Sequence, residues 1–179
     1  MINVLIRCHN RPALFERCLQ SVRLQTYKKI NIIISKDCEC NYIPAALHVI
    51  EVIPDKSKPY FYDLYCNELK SLVTKGWFLF LDEDDYLAYN DVLERLPLDN
   101  LAILVQINHI GHITPLKENF GFGQVGMSNL ILHHSLKELA HFTGEDHNDY
   151  HYVKEVCDKI KPVFIPMVVV ECDRRGLGA

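Results

Sequence analysis

Residues 77–85 (WFLFLDEDD) do most to limit what this chain can become. The apolar part, from 76 to 81, carries no charge and reads as a strand buried on both faces, and four acids follow it at once. Ionised carboxylates leave water only at large cost, so the acids are expected to face solvent or a cation at the carboxyl end of that strand. Open α/β sheets bind ligands at that end, and a divalent cation bridging phosphates takes one or two carboxylates from the protein. The run therefore points to a metal and phosphate site. The same residues also suit an acidic turn capping a following helix.

The rest of the composition narrows the class. With 179 residues, 49% hydrophobic and 23% charged, the chain suits one domain with one substantial core. A net charge of -4 argues against a nucleic-acid binder. No apolar run approaches the roughly 20 residues of a membrane span, and the amino terminus leads straight into a strand, so a cytoplasmic location is expected. The seven cysteines are odd in number and fall mostly inside expected elements, which suits reduced thiols. Cys38-Glu39-Cys40 is spaced too tightly for the usual zinc knuckle and reads as incidental.

Taken in order, the first half alternates strand and helix. Residues 3–8 form a strand, with Asn10 as a possible cap and Pro12 near the first position of a helix burying Leu14, Cys18 and Val22. Residues 30–35 and 48–53 are strands, and a helix over about 62–74 leads into the acidic strand. That alternation implies a mostly parallel central sheet flanked by helices, a Rossmann-type α/β sandwich with its site along the carboxyl edge. The second half is less regular: a strand at 101–108, a flexible glycine-rich connection at 121–126, and a short strand at 130–132. A short helix at 135–140 and a longer one over about 146–160 follow, the latter with Tyr150, Val153, Val156 or Cys157, and Ile160 as its apolar stripe. Strands at 163–165 and 167–171 come last, then a mobile tail from 172.

Three polar clusters end expected strands: Cys8-His9-Asn10-Arg11, Lys36-Asp37 and the four acids from Asp82 to Asp85. On neighbouring strands they would converge on one crevice, with Asp37 for a base, the first loop for base and ribose, and a carboxylate-held cation for a diphosphate. The His147/His151 pair lacks the glutamate that a zinc peptidase would need. Tyr60, Phe61, Tyr62 and Tyr65 read mainly as helix packing, with a sugar-stacking platform as the second reading.

In this ordered combination the chain resembles the family 2 glycosyltransferases of GT-A fold. The match runs through residues 5–27, including Asn10-Arg11-Pro12 and Ser21-Val22-Arg23-Leu24-Gln25-Thr26-Tyr27, then Asp37 after the second strand, Asp82-Glu83-Asp84 as the Asp-Xaa-Asp signature, and Gly144-Glu145-Asp146 before a helix. It departs at Arg7, His9 and Lys36-Asp37-Cys38-Glu39. It departs again at Tyr65-Cys66-Asn67, where the family often has Ala-Arg-Asn; Asn67 is the donor-side residue there. The resemblance implies an inverting, metal-dependent transfer of sugar from a UDP-, GDP- or dTDP-linked donor to a glycan, lipid-linked or protein hydroxyl. Asp84, with Asp82, would hold Mn²⁺ or Mg²⁺, Asp85 would support them, and Asp146 or else Glu145 would be the base. It implies a nucleotide-binding half at about 1–100 and a catalytic-base half at about 101–171.

Two rivals stay open. A sugar-phosphate nucleotidyltransferase would need a glycine-rich loop after the first strand, and CHNRPALFERC has no glycine. A non-catalytic nucleotide-sugar-binding domain would suit the altered first loop.

Overall fold

The computed structural model describes residues 1–53 and 56–172; the expected mobile tail, with Arg174 and Arg175, falls outside the described residues from 173 onward. The elements are β1 (Ile2–Cys8), α1 (Pro12–Arg23), β2 (Ile30–Lys36), β3 (His48–Glu51), α2 (Tyr65–Ser71), β4 (Trp77–Asp82), β5 (Asp85–Leu87), β6 (Ala102–His109), β7 (His112–Thr114), β8 (Leu130–His133), α3 (Asn148–Lys159) and β9 (Val163–Cys172). The nine strands among the described residues join one sheet in the order β3-β2-β1-β4-β8-β6-β9-β5, with β7 on β6. The α/β class and the flanking helices are as expected. Parallel pairing is confined to β3-β2-β1-β4 and to β6 with β9; β8 runs antiparallel to both β4 and β6, and β5 antiparallel to β9.

The central strands are apolar on both faces because both are covered. Val4, Ile6, Leu79 and Leu81 pack into one cluster with Phe15, Cys18, Leu19 and Val22 of α1. Leu5, Phe78 and Phe80 face the opposite way, into a cluster with Cys66 and Leu69 of α2 and Tyr152, Val153 and Val156 of α3. Alternate side chains of a strand point to opposite faces, so a covered sheet needs apolar residues at every position. Ile6 is fully buried in this layer. Ile6→Val is expected to lower stability by about 1 kcal/mol, measured from the denaturant midpoint at unchanged slope.

Four expectations change. Asn10 does not cap α1; it turns through a positive φ of 52°, Arg11 is the N-cap without a side-chain bond, and Pro12 opens the helix as expected. The helix expected over 62–74 is a 3₁₀ turn (Phe61–Leu64) followed by the two-turn α2. Helix α3 starts at Asn148, two residues later than expected, because His147 takes a left-handed conformation; its expected stripe packs inward, with Val153 and Val156 buried and Tyr150, Cys157 and Ile160 half-buried, and Asn148 and Tyr152 are buried beside it. The two final strands are one, β9, whose pairing with β6 jumps from Val105↔Ile165 to Gln106↔Val168. The extra residues include Pro166, which has no N–H for the ladder and so sits at an irregularity.

For the site, the decisive feature is register. Arg7 of β1 is level with Ser35 of β2 and with Asp82 of β4. The polar ends of all three strands therefore lie abreast.

Candidate functional site

A cleft of about 530 Å³ opens at this carboxyl edge, lined among others by Arg7, Cys8, His9, Arg11, Asp37, Asp82 and Asp84. Its far wall comes from Tyr60, Phe61, Tyr62 and Tyr65 and from the head of α3, including Asp146 and Asp149. A second cavity of about 260 Å³ lies beside it, and Asp82, Asp84 and Asp149 line both.

The four acids do not all face solvent or a cation. Asp82 and Asp84, two apart, look into the cleft with side chains 29% and 15% exposed. Glu83 points the other way and is 0% exposed. Its Oε1 accepts from Arg11 Nε at 2.6 Å and its Oε2 from the Cys8 thiol at 3.0 Å. Asp85 is also buried, at the start of β5, and burial raises its pKa well above the carboxylate range, with Asp82 and Asp84 adding to the effect. A buried acid is tolerated only when it is paired or protonated, and these two show one solution each. No helix follows the run, so a helix-capping role does not apply.

Arginines complete the acidic edge. Arg7 makes a two-pronged contact with Asp82 (Nε–Oδ1 2.6 Å, Nη2–Oδ2 2.8 Å) and a third bond to Asp63. Arg11 reaches Asp84 through Nη1 at 2.5 Å while holding Glu83. A fork of this kind fixes both carboxylate oxygens in one plane. The carboxylates at 82 and 84 are thus positioned side by side, and together with phosphate oxygens they form the type of donor set that a hard divalent cation takes.

Other expected residues are placed as follows. Asp37 is inside the cleft wall, accepting from Tyr65 Oη at 3.0 Å and lying 2.7 Å from His9 Nδ1. Cys8 is buried beneath the cleft and bonded to Glu83. Asn10 is exposed and does not line the cleft, and Asn67 is turned away: its amide bonds both backbone groups of Phe142, at 2.7 and 3.0 Å. Glu145 pairs with Lys58 Nζ at 2.5 Å and does not line the cleft. Asp146 stands on the rim, 62% exposed, bonded to the His147 backbone N–H and to Tyr60. Gly144, at a φ of 72°, lets this loop close on the 58–64 segment, where an added Cβ would lie 3.1 Å from Lys58 Cβ.

No sequence motif points to Asp149. It occupies the first turn of α3, accepts from the Met127 backbone N–H, and has an enclosed Oδ1 with no hydrogen-bond partner. Burial, followed by the Asp63 carboxylate, pushes its pKa up to about 7, while Arg7 works in the opposite direction. The sequence signal for Asp149 is an acid in the first turn of an expected helix, in a run where the expectations rest on His147, His151 and Tyr150. The aromatic residues at 60–62 were likewise placed in helix packing, whereas they line the cleft, and Tyr62 lies under the Arg7 guanidinium at 5.4 Å. The 121–126 segment, read as a plain connection, contributes Gly123 and Val125 to both cavities.

No family model and no curated protein matches the chain. Solved structures do match. TarS of S. aureus, a staphylococcal glycosyltransferase, superposes with a TM-score of 0.73 at 13% identity over 97% of this chain and 36% of that one. Its 1–349 form matches in complex with UDP (TM-score 0.71, 14% identity, 95% of this chain and 59% of that one). The same form in complex with UDP-GlcNAc gives a TM-score of 0.72 at 13% identity over 98% of this chain and 59% of that one. The fold is similar to that of TarS, a mixed α/β sheet flanked by helices. The chain spans little more than a third of TarS and about three fifths of the shorter form. No helix among the described residues is long and apolar enough to cross a membrane.

Proposed function

We propose that this chain is an inverting, metal-dependent glycosyltransferase of the family 2 type that takes its sugar from a nucleotide diphosphate, with a uridine nucleotide as the first candidate. The observation that carries the reading is the shared lining of the two cavities: Asp82, Asp84 and Asp149 stand where a donor in the larger cavity and an acceptor in the smaller one would meet. The glycosyltransferase fold and the TarS complexes with UDP and UDP-GlcNAc support the donor class.

In this reading Asp37 accepts from an N–H of the base, and Tyr62, lining the same cleft, offers a ring face to it. Asp84, with Asp82 held by Arg7, would hold Mn²⁺ or Mg²⁺, and the cation would supply positive charge against the departing diphosphate. Arg11 is committed to Glu83 and Asp84, so it orders the carboxylates and is not a phosphate clamp. Asp149 removes the proton from the acceptor hydroxyl as its oxygen attacks the anomeric carbon on the face opposite the leaving group, which inverts the configuration. Asp146 matches the family pattern but sits on the solvated rim, and Glu145 is occupied by Lys58. The geometry favours Asp149 over both, because it lines both cavities and a base whose pKa burial raises to about 7 transfers protons best at neutral pH.

Calorimetric titration with UDP-, GDP- and dTDP-sugars in the presence of Mn²⁺ or Mg²⁺ tests the donor assignment. One donor is expected to bind with metal, and Asp84→Ala is expected to weaken it by roughly 10- to 100-fold. Absence of binding by every donor at millimolar concentration would count against the reading.

A further inference from the structure

At the wall of the donor cleft, the loops after β1 and β2 assemble a group of side chains of which the proposed transfer uses only Asp37. Because Cys8 is level with Lys36, His9 of one loop faces Asp37 and Cys38 of the other. The potential ligand atoms of His9, Asp37 and Cys38 all lie within 4.8 Å of one another. Cys40 brings a second sulfur, 3.3 Å from Cys38 Sγ and 3.9 Å from Cys8 Sγ. Four ligand atoms on a tetrahedral zinc ion stand roughly 3.3–3.8 Å apart; the two sulfurs are at that spacing, His9, Asp37 and Cys38 lie within 4.8 Å of one another, and the ion would draw Cys40 in as the fourth ligand. The tight Cys38-Glu39-Cys40 pair cannot make a knuckle alone. It needs no second knuckle here, because strand register supplies the histidine and Asp37 is its neighbour.

We propose that His9, Asp37, Cys38 and Cys40 form a binding site for a borderline-soft divalent cation, with Zn²⁺ as the ion its chemistry selects. Thiolate and imidazole ligands favour Zn²⁺, whereas Mg²⁺ and Mn²⁺ favour the all-oxygen set at Asp82 and Asp84. The ion takes the place of the proton between His9 Nδ1 and Asp37 Oδ1, which are 2.7 Å apart, and the thiol protons of Cys38 and Cys40 are released to solvent as the sulfurs bind. The carboxylate and two thiolates leave one net negative charge on the occupied site. The Lys36 ammonium, held 2.8 Å from Glu51, feels both sulfurs and offsets that charge. Since Asp37 cannot serve the metal and a base at once, an occupied site holds back donor binding. That consequence rests on the donor site proposed above; the metal site itself does not.

The test uses the reduced, metal-free full chain without nucleotide. Adding Co²⁺ is expected to produce a thiolate-to-cobalt charge-transfer band together with tetrahedral visible bands, both displaced by stoichiometric Zn²⁺. Cys38→Ser is expected to remove or strongly reduce the charge-transfer band. His9→Ala, at an exposed position that leaves folding intact, is expected to weaken Zn²⁺ binding about tenfold or more. Cys157→Ser, on α3, should change neither. No thiolate band, or Zn²⁺ binding unchanged in both Cys38→Ser and His9→Ala, overturns the proposal. In a separate titration of a donor that binds the metal-free chain, Zn²⁺ should weaken binding; equal donor affinity with and without it removes the braking role and leaves the cobalt result standing.

Discussion

Asp149→Asn is expected to reduce sugar transfer by about 10²- to 10⁴-fold, the usual loss when a general base is removed, with donor binding largely retained. Asp146→Asn should have a much smaller effect. In the wild type the rate should rise with pH through about 7, as Asp149 loses its proton, and that limb should vanish in Asp149→Asn. The charged and titratable groups that set this value are Asp63, Asp82 and Arg7, so the limb should move if any of them is replaced.

The same substitution should stabilise the protein. The folded pKa of Asp149 is raised above its unfolded value, so the folded state binds the proton more tightly. Stability is therefore greatest below about pH 4 and falls as pH rises towards about 7, where the carboxylate must ionise in its enclosed place. Asparagine removes that cost. Asp149→Asn should gain on the order of 2 kcal/mol at pH 8, with the gain shrinking to nothing in acid, measured by denaturant unfolding at both pH values. A merely structural Asp149 could show the gain, but it would not show the loss of transfer.

The second large effect concerns the buried acid. Arg11→Ala is expected to cost about 3 kcal/mol, because it removes the charged partner of the fully buried Glu83 carboxyl group and leaves that group bonded to Cys8 and Tyr42. Adding Glu83→Gln to that variant should recover most of the loss, since an amide carries no charge to bury. A double-mutant cycle on unfolding free energy would show the coupling. If Arg11→Ala and Glu83→Gln were each mild and additive, the pair would not be holding the acidic turn in place.

How far the sequence led depended on what each residue touches. The β1-α1-β2 unit and the acidic strand were legible because apolar residues at every position of residues 77–81 and 32–34 mark strands covered on both faces. The convergence of His9, Asp37 and Asp82 followed from parallel order alone, since register then places strand ends abreast. The alternation within Asp82 to Asp85 was harder to see. Which acids turn inward depends on arginines 70 residues away in sequence, and neither Arg7 nor Arg11 announces its partner. Asp149 was missed for a related reason. Its enclosure involves Met127 and Gly126, a long-range contact that helical periodicity does not encode, and the start of α3 at Asn148 puts Asp149 in the first turn while Asp146 lines the cleft from its solvated rim. Asn67 failed in the opposite sense: it matched a position in a pattern, while its amide was taken up by the Phe142 backbone.

The account rests on a donor lying across the carboxyl edge of β1, β2 and β4, and a crystal structure of the chain soaked with UDP-sugar and Mn²⁺ examines that claim most directly. The account predicts the base against Asp37 and Tyr62, the diphosphate and metal at Asp84, and the anomeric carbon facing Asp149. A donor bound elsewhere on the molecule, or one whose sugar points away from Asp149, would contradict it.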